Sequence, residues 1–319
     1  MSRSIFPAYA IMVILLLPAC GQSGGKTAAG ITDAVEYPAG REASATLADA
    51  LGRRYVKGEV PCRIVSLGPA ITEILFAIGA GDSVAGVTQY CDYPPAAAGK
   101  VSVGGFSGAT VSVERIRALG ADLVILSADM HSRIVSLLDE LGIPSFAVEP
   151  RNFQEVYDTI AVIGEITGCS AGAEAAIAAM KAKIAAVEER TRGLEKPGVF
   201  WILSEDPLMT AGRDTFISEA LSLAGGRNIF GDIQGQWPLV SPEQVLLRKP
   251  GWLLTEGPPK AEGPPKAEGL RLIANPLLRA IPAFREGRVA QINPDLFYRY
   301  GPRLADGVES VAAILHPWN

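Results

Sequence analysis

Ser170-Ala-Gly-Ala-Glu-Ala-Ala-Ile-Ala-Ala-Met-Lys-Ala-Lys-Ile-Ala-Ala-Val-Glu-Glu-Arg-Thr-Arg192 is the stretch on which the fold turns. Helix-forming residues follow one another through it with a single Gly and no Pro. It predicts one uninterrupted helix of roughly 35 Å, about the width of a small domain. Ile177, Met180, Ile184 and Val187 recur three and four apart and make one apolar stripe, while Glu174, Lys181, Lys183, Glu188 and Glu189 populate the remaining surface. One stripe is too narrow for a helix buried all round. Segments of similar length lie on either side, each alternating short β-rich runs with helical periodicity. The helix therefore reads as a strut joining two lobes, against the alternative of one more surface helix on a single α/β domain.

Before the strut, Arg63-Ile64-Val65-Ser66-Leu67 is a short apolar run, and Gly68-Pro69 opens a helix that carries Ile71, Ile74, Leu75 and Ile78 and ends at Gly79. The pattern recurs with Val84-Ala85-Gly86-Val87, with Asp122-Leu123-Val124-Ile125-Leu126 and a helix over 134–141, and with Ser145-Phe146-Ala147-Val148 leading into a helix over 153–167. After the strut come a strand over 199–203, a helix over 214–223, strands over 252–255 and 288–292, and a final helix over 302–315 with Leu304, Val308, Val311 and Leu315 inward. Alternation of this kind predicts an α/β fold of two lobes, each a parallel sheet covered by helices. Ligands of such sheets gather at the C-terminal ends of the strands. The expected segments are a lobe over 46–169, the helix over 170–193 and a second lobe over 194–319. A tandem Glu-Gly-Pro-Pro-Lys-Ala hexad at 256–261 and 262–267 cannot continue a helix or a sheet interior, so it reads as an extended exposed loop duplicated in a tolerant place.

The chain has 319 residues, 48% of them hydrophobic, enough for two cores of ordinary size. Its net charge of -5, with no basic run, argues against a nucleic-acid partner. At the N-terminus Arg3 precedes an apolar core over 5–16, too short for a stable span, and Leu17-Pro18-Ala19-Cys20 is a small-residue cleavage site ending in Cys. This resembles a bacterial lipoprotein signal, over residues 1–20, whose Cys20 becomes the lipidated first residue. Acyl chains contribute about 0.8 kcal/mol per buried CH₂, so two or three of them hold a protein on a membrane. Residues 21–45 are poor in groups to bury and read as a flexible tether. Export puts Cys62, Cys91 and Cys169 in an oxidising compartment, where one disulfide can form and one thiol is left over; the pairing stays open.

Signals for chemistry are nearly absent. His131 and His316 are the two histidines, too few for a histidine metal cluster or most triads. Gly105-Phe106-Ser107-Gly108-Ala109 lacks the closing Gly of a nucleophile elbow. Gly79-Ala80-Gly81 lacks the third Gly of a dinucleotide fingerprint and follows a helix where the fingerprint follows a strand.

Arg63-Ile64-Val65-Ser66-Leu67 with Thr72-Glu73, then Cys91-Asp92-Tyr93-Pro94, then Val113-Glu114-Arg115-Ile116 with Ala121-Asp122-Leu123-Val124 resemble the N-terminal lobe of substrate-binding proteins for cobalamin and iron-chelate ABC importers. Gly225-Gly226-Arg227-Asn228-Ile229-Phe230, Trp237-Pro238, Ser241-Pro242-Glu243-Gln244-Val245-Leu246 and Gly301-Pro302-Arg303-Leu304 continue the resemblance, which covers roughly residues 46–316 in order. It implies two α/β lobes joined by one long rigid helix, no enzymatic activity, no catalytic residue, no metal site and no cofactor of the protein's own. The cobalamin binders are the members most similar to it. The resemblance implies a ligand cleft formed by Tyr90 and Phe106 on the first lobe and by Trp237, Asp295, Phe297 and Arg299 on the second. Phe106 stands where the cobalamin pattern has Trp, and Leu296 also departs from that pattern. Glu114 and Glu243 would meet arginines of a permease dimer served by ATPase subunits. The expected protein is a monomeric receptor, exported and lipid-anchored on a bacterial membrane, facing the periplasm or the cell exterior. Its ligand would be a cobalt corrinoid or, alternatively, a ferric siderophore or haem. An exported hydrolase is the reading from a different class.

Overall fold

Continuously apolar runs build two parallel sheets in the computed structural model, which describes residues 46–257 and 276–317. The expected signal peptide, the tether, Cys20 and the hexads beyond Gly257 lie outside the described residues. The first sheet consists of β1 (Ile64–Ser66), β2 (Val84–Val87), β3 (Val101–Ser102), β4 (Leu123–Ser127) and β5 (Ser145–Val148), in the order β3-β2-β1-β4-β5 with every pair parallel. Successive residues feed opposite faces, as the pleat requires. Ile64, Leu123, Ile125 and Phe146 enter one core with α1 (Pro69–Ala77) and α4 (Phe153–Ile166). Val65, Val124, Leu126 and Ala147 enter another with α2 (Val113–Ala118) and α3 (Ala128–Glu140).

The helix expected over 170–193 is α5 (Ser170–Thr191). Its buried residues are Ala173, Met180, Ile184, Val187 and Thr191, so the stripe is as predicted except that Ile177 is half-buried. The single Gly has a steric reason: a Cβ on Gly172 would lie 2.0 Å from the carbonyl oxygen of Ile78, at the end of α1. The second sheet consists of β6 (Gly198–Ile202), β7 (Arg227–Asn228), β8 (Trp252–Glu256) and β9 (Val289–Ile292), in the order β7-β6-β8-β9, again all parallel. Phe200, Ile202 and Leu253 face α7 (Pro242–Arg248), while Val199, Trp201 and Leu254 face α6 (Phe216–Leu223) and α8 (Leu304–Leu315). The α5 stripe packs against α4 of the first lobe and α8 of the second, so one apolar core runs through the strut into both. Lys183 of α5 pairs with Asp306 of α8, and with Glu309 at 3.5 Å.

Three differences from expectation have local causes. The helix expected from 134 begins at Ala128, because Ser127 caps it by accepting from the Met130 N–H at 3.2 Å; its polar first turn carries no apolar period. The helix expected from 214 starts at Phe216, capped by Thr215. The edge strands β3 and β7 have two residues each, too few to show a period of two. Among the described residues no helix is long and apolar enough to cross a membrane.

Candidate functional site

Segments that leave the C-terminal ends of β4 and β5 meet segments of the second lobe around a cavity of about 130 Å³. Asp129, Glu149 and Arg151 line it from the first lobe; Asp214, Gln236 and Trp237 line it from the second. Apolar support comes from Phe216, which stacks on Tyr300 at 4.0 Å between centroids and tilts against Phe153 at 6.1 Å. Trp237 is 38% exposed and leans on Tyr298, centroids 6.4 Å apart. The Tyr298 hydroxyl in turn donates to Glu256 Oε1 at 2.5 Å; burial, and then this carboxylate, push the phenol far above its ordinary pKa. On the first lobe Tyr90 and Phe106 are 49% and 43% exposed and meet edge to face at 6.1 Å. Each lobe thus presents a braced pair of rings. Phe106 belongs to the cavity's neighbourhood because its loop sits on the first turn of α3: Gly108 N–H donates to the Met130 carbonyl at 3.1 Å, one residue beyond Asp129.

Acidic groups outnumber basic ones around the cavity. Arg151 lies 3.2 Å from Asp129, Glu149 accepts from Ser127 Oγ at 2.7 Å and from Asp129 N–H at 3.1 Å, and Asp214 accepts from Gly235 N–H at 2.8 Å. Beside it runs an ionic joint between the lobes. Glu73 of α1 accepts from Arg303 Nε at 2.7 Å and Nη2 at 2.5 Å, and lies 3.3 Å from Arg299. Arg299 also reaches Asp92 at 2.5 Å, from the loop after β2, and Asp295 at 3.0 Å. The Arg303 guanidinium lies 4.0 Å from the Tyr93 ring centroid. Burial pushes the Glu73 carboxyl above its ordinary value, and the two guanidiniums hold it down against that push. The Arg299 hydrogen bond draws Asp92 below the ordinary carboxylate range.

The structure brings Trp237 to the cavity and leaves Tyr90 and Phe106 as exposed rings on the first lobe. It places Asp295 and Arg299 in the ionic joint, where Arg299 is already shared by three carboxylates. Phe297 is a correction. It has no exposed surface, because the single helical turn Asp295–Tyr298 points it inward, edge-on to Trp201 at 4.8 Å; it is a core residue and cannot line a cleft. Sequence reasoning missed Glu73, Asp129, Glu149 and Asp214 as members of the site and its joint. Asp129 and Glu149 had one signal, position, since they come within two residues of the ends of β4 and β5; Glu73 and Asp214 had none.

Glu114 and Glu243 lie away from these contacts, fully exposed, in matching settings. Each is the second residue of a helix capped by a serine two positions earlier, Ser112 accepting from Arg115 N–H and Ser241 from Gln244 N–H. Both carboxyls are lowered, Glu114 by its own backbone N–H and the Ser112 hydroxyl, Glu243 by the Ser241 hydroxyl and its own N–H. Both are therefore anionic at neutral pH.

Residues 64–296 match the family described as periplasmic binding protein. An uncharacterised ABC transporter substrate-binding lipoprotein of Bacillus subtilis, YvrC, is 31% identical over 85% of this chain and 85% of its own. The vitamin B12-binding protein of Photorhabdus laumondii is 30% identical over 80% of this chain and 88% of its own. Among solved structures, the periplasmic haem-binding protein RhuT of Roseiflexus sp. RS-1 superimposes with a TM-score of 0.68 at 27% identity, over 80% of this chain and 97% of its own.

Proposed function

The chain belongs to the periplasmic binding protein family, and from that premise we propose that it is the substrate-binding component of an ABC importer, capturing a corrinoid between its lobes for delivery to a permease dimer and its ATPase subunits. The single observation that carries the choice of ligand is the state of the cleft's charges. Arg151 and Arg299 are both engaged by carboxylates of the protein, and three carboxylates line the cavity. Haem propionates or an anionic ferric siderophore would have to break those pairs and approach like charge, which costs affinity. The amide fringe of a corrinoid instead donates to Asp129, Glu149 and Asp214 while its faces rest on the exposed rings. The cavity, at about 130 Å³, takes one peripheral substituent and leaves the macrocycle across Tyr90, Phe106 and Trp237. No side chain acts chemically on the ligand in this reading.

Purified protein mixed separately with cyanocobalamin, hemin and a ferric tris-catecholate, then passed through a desalting column, should carry through the corrinoid absorbance and neither of the others. Retention of hemin or the ferric chelate with loss of cobalamin overturns the choice of ligand. Trp237→Ala should weaken cyanocobalamin binding by about 1 to 3 kcal/mol, the usual cost of losing an exposed aromatic anchor, and Tyr90→Ala should also weaken it. Unchanged affinity in both variants means that the ligand sits elsewhere.

The same reading takes residues 1–19 as removed, the signal closing on Cys20, and residues 21–45 as the tether between a lipidated Cys20 and the first lobe. Material extracted from membranes should begin at Cys20 and carry the mass of its acyl groups. An unmodified Cys20, or a mature N-terminus at another residue, rules the anchor out.

A further inference from the structure

The loop after β2 carries Cys91-Asp92-Tyr93-Pro94, and two of its side chains reach the second lobe. Asp92 Oδ1 accepts from Arg299 Nη1 at 2.5 Å, and the Tyr93 ring centroid lies 4.0 Å from the Arg303 guanidinium. Charge balance does not require Asp92. The same Nη1 has Glu73 at 3.3 Å, and Arg299 Nη2 has Asp295 at 3.0 Å. Asp92 also differs from those two partners in its setting: its side chain is 65% exposed, against 2% for Glu73 and 22% for Asp295. An exposed ion pair adds little to stability, so neither neutralisation nor packing accounts for this bond.

The bond does hold the loop. Cys91 N–H donates to the Thr88 carbonyl at 3.1 Å and Asp92 N–H to the Tyr90 carbonyl at 3.2 Å, so residues 88–92 form a hydrogen-bonded turn. Cys91 is buried and anchors that turn from below, with its Sγ 3.2 Å from Thr88 Oγ1. Tyr90 stands on the outer side of the turn, 49% exposed and edge-on to Phe106, and on that side the hold is Asp92. At the far end of the bond Arg299 follows Tyr298, whose ring bears on Trp237 and whose hydroxyl is tied to Glu256. Two adjacent residues of the second lobe therefore brace its own exposed ring and grip the turn that carries Tyr90.

We propose that Asp92 is a positioning residue: its bond to Arg299 clasps the 88–94 loop to the second lobe and fixes the stance of Tyr90 relative to Trp237. The functional part of this rests on the reading that Tyr90 and Trp237 receive the ligand. A flat ligand that touches rings of both lobes is sensitive to the separation of those rings. Rings held at that separation before the ligand arrives lose less freedom on binding. Asp92 acts in this way without touching the ligand.

Hydrogen exchange on the full-length free protein, in which the bond is already formed, is the first test. In Asp92→Ala the amides of 90–93 should exchange about fivefold faster after correction for intrinsic rates, with β1 and α1 unchanged and the thermal midpoint within about 2 °C of the parent. Asp92→Asn keeps an acceptor oxygen and should return exchange to within about twofold of the parent. Unchanged exchange in the Ala variant, or failure of Asn to restore it, overturns the proposal. Acceleration spread through β1 and α1, or a larger drop in the midpoint, overturns it too, since Asp92 is then a structural member of the ionic joint. With cyanocobalamin as the probe, Asp92→Ala should weaken binding about fivefold, and by less than about twofold when Tyr90→Ala is already present. Additive losses overturn the coupling to Tyr90. If the parent protein binds no cyanocobalamin but the loop behaves as stated, the corrinoid reading falls and the clasp stands.

Discussion

Replacing Glu73 with alanine is expected to destabilise the protein by about 3 to 5 kcal/mol. The side chain is 2% exposed and meets two guanidiniums that are themselves only 13% and 15% exposed. Removing the carboxylate leaves two cations buried side by side. Asp92 and Asp295 compensate Arg299, but Arg303 loses the carboxylate that takes both of its donated bonds. The loss also falls on the junction of the lobes, since Glu73 belongs to α1 and both arginines follow β9. The thermal midpoint should drop by roughly 5 to 15 °C. Glu73→Leu combined with Arg303→Met should recover most of the loss, because an apolar pair carries no desolvation cost. A midpoint in Glu73→Ala within about 2 °C of the parent would mean that the joint is solvated and contributes little.

The strut, the parallel sheets and most strand positions were legible in the sequence, since each rests on a local period: Met180, Ile184 and Val187 three and four apart, or the continuous run from Leu123 to Leu126. The joint was not. Glu73 as a helix residue looks like any exposed glutamate, and its burial depends on Arg299 and Arg303, more than two hundred positions away, which no window of sequence brings together. Phe297 shows the same limit at short range. In Asp295-Leu296-Phe297-Tyr298 three adjacent apolar side chains offer no period, so which one faces Trp201 and which one faces Trp237 is decided by the direction of a single helical turn. Tyr90, Phe106 and Trp237 were named from a resemblance, and their exposure distinguishes them from core aromatics such as Phe146 and Phe200 in a way composition does not.

Glu114→Ala together with Glu243→Ala is expected to leave ligand affinity intact while reducing uptake in cells by at least tenfold, with each single change less severe; tenfold corresponds to about 1.4 kcal/mol of lost association. A glutamate in the first turn of a helix complements the helix dipole, and for either residue alone that is explanation enough. The pair is harder to dismiss. Both stand second in a helix capped by serine, both are fully exposed, both are held anionic by the serine hydroxyl and a backbone N–H, and one stands on each lobe. Neither helix needs the charge for packing, because Val113 and Ile116 bury α2 and Val245 buries α7. Two anions in equivalent settings on two related lobes match two identical subunits, each offering one cation. Charge-assisted contacts there would speed the encounter and fix its register. Contacts of this kind are screened by salt, so association of the parent protein with permease in proteoliposomes should weaken as ionic strength rises, and that of the double variant should respond much less. Normal uptake by the double variant, with ligand still bound, would make both glutamates helix-start residues and move the docking surface elsewhere.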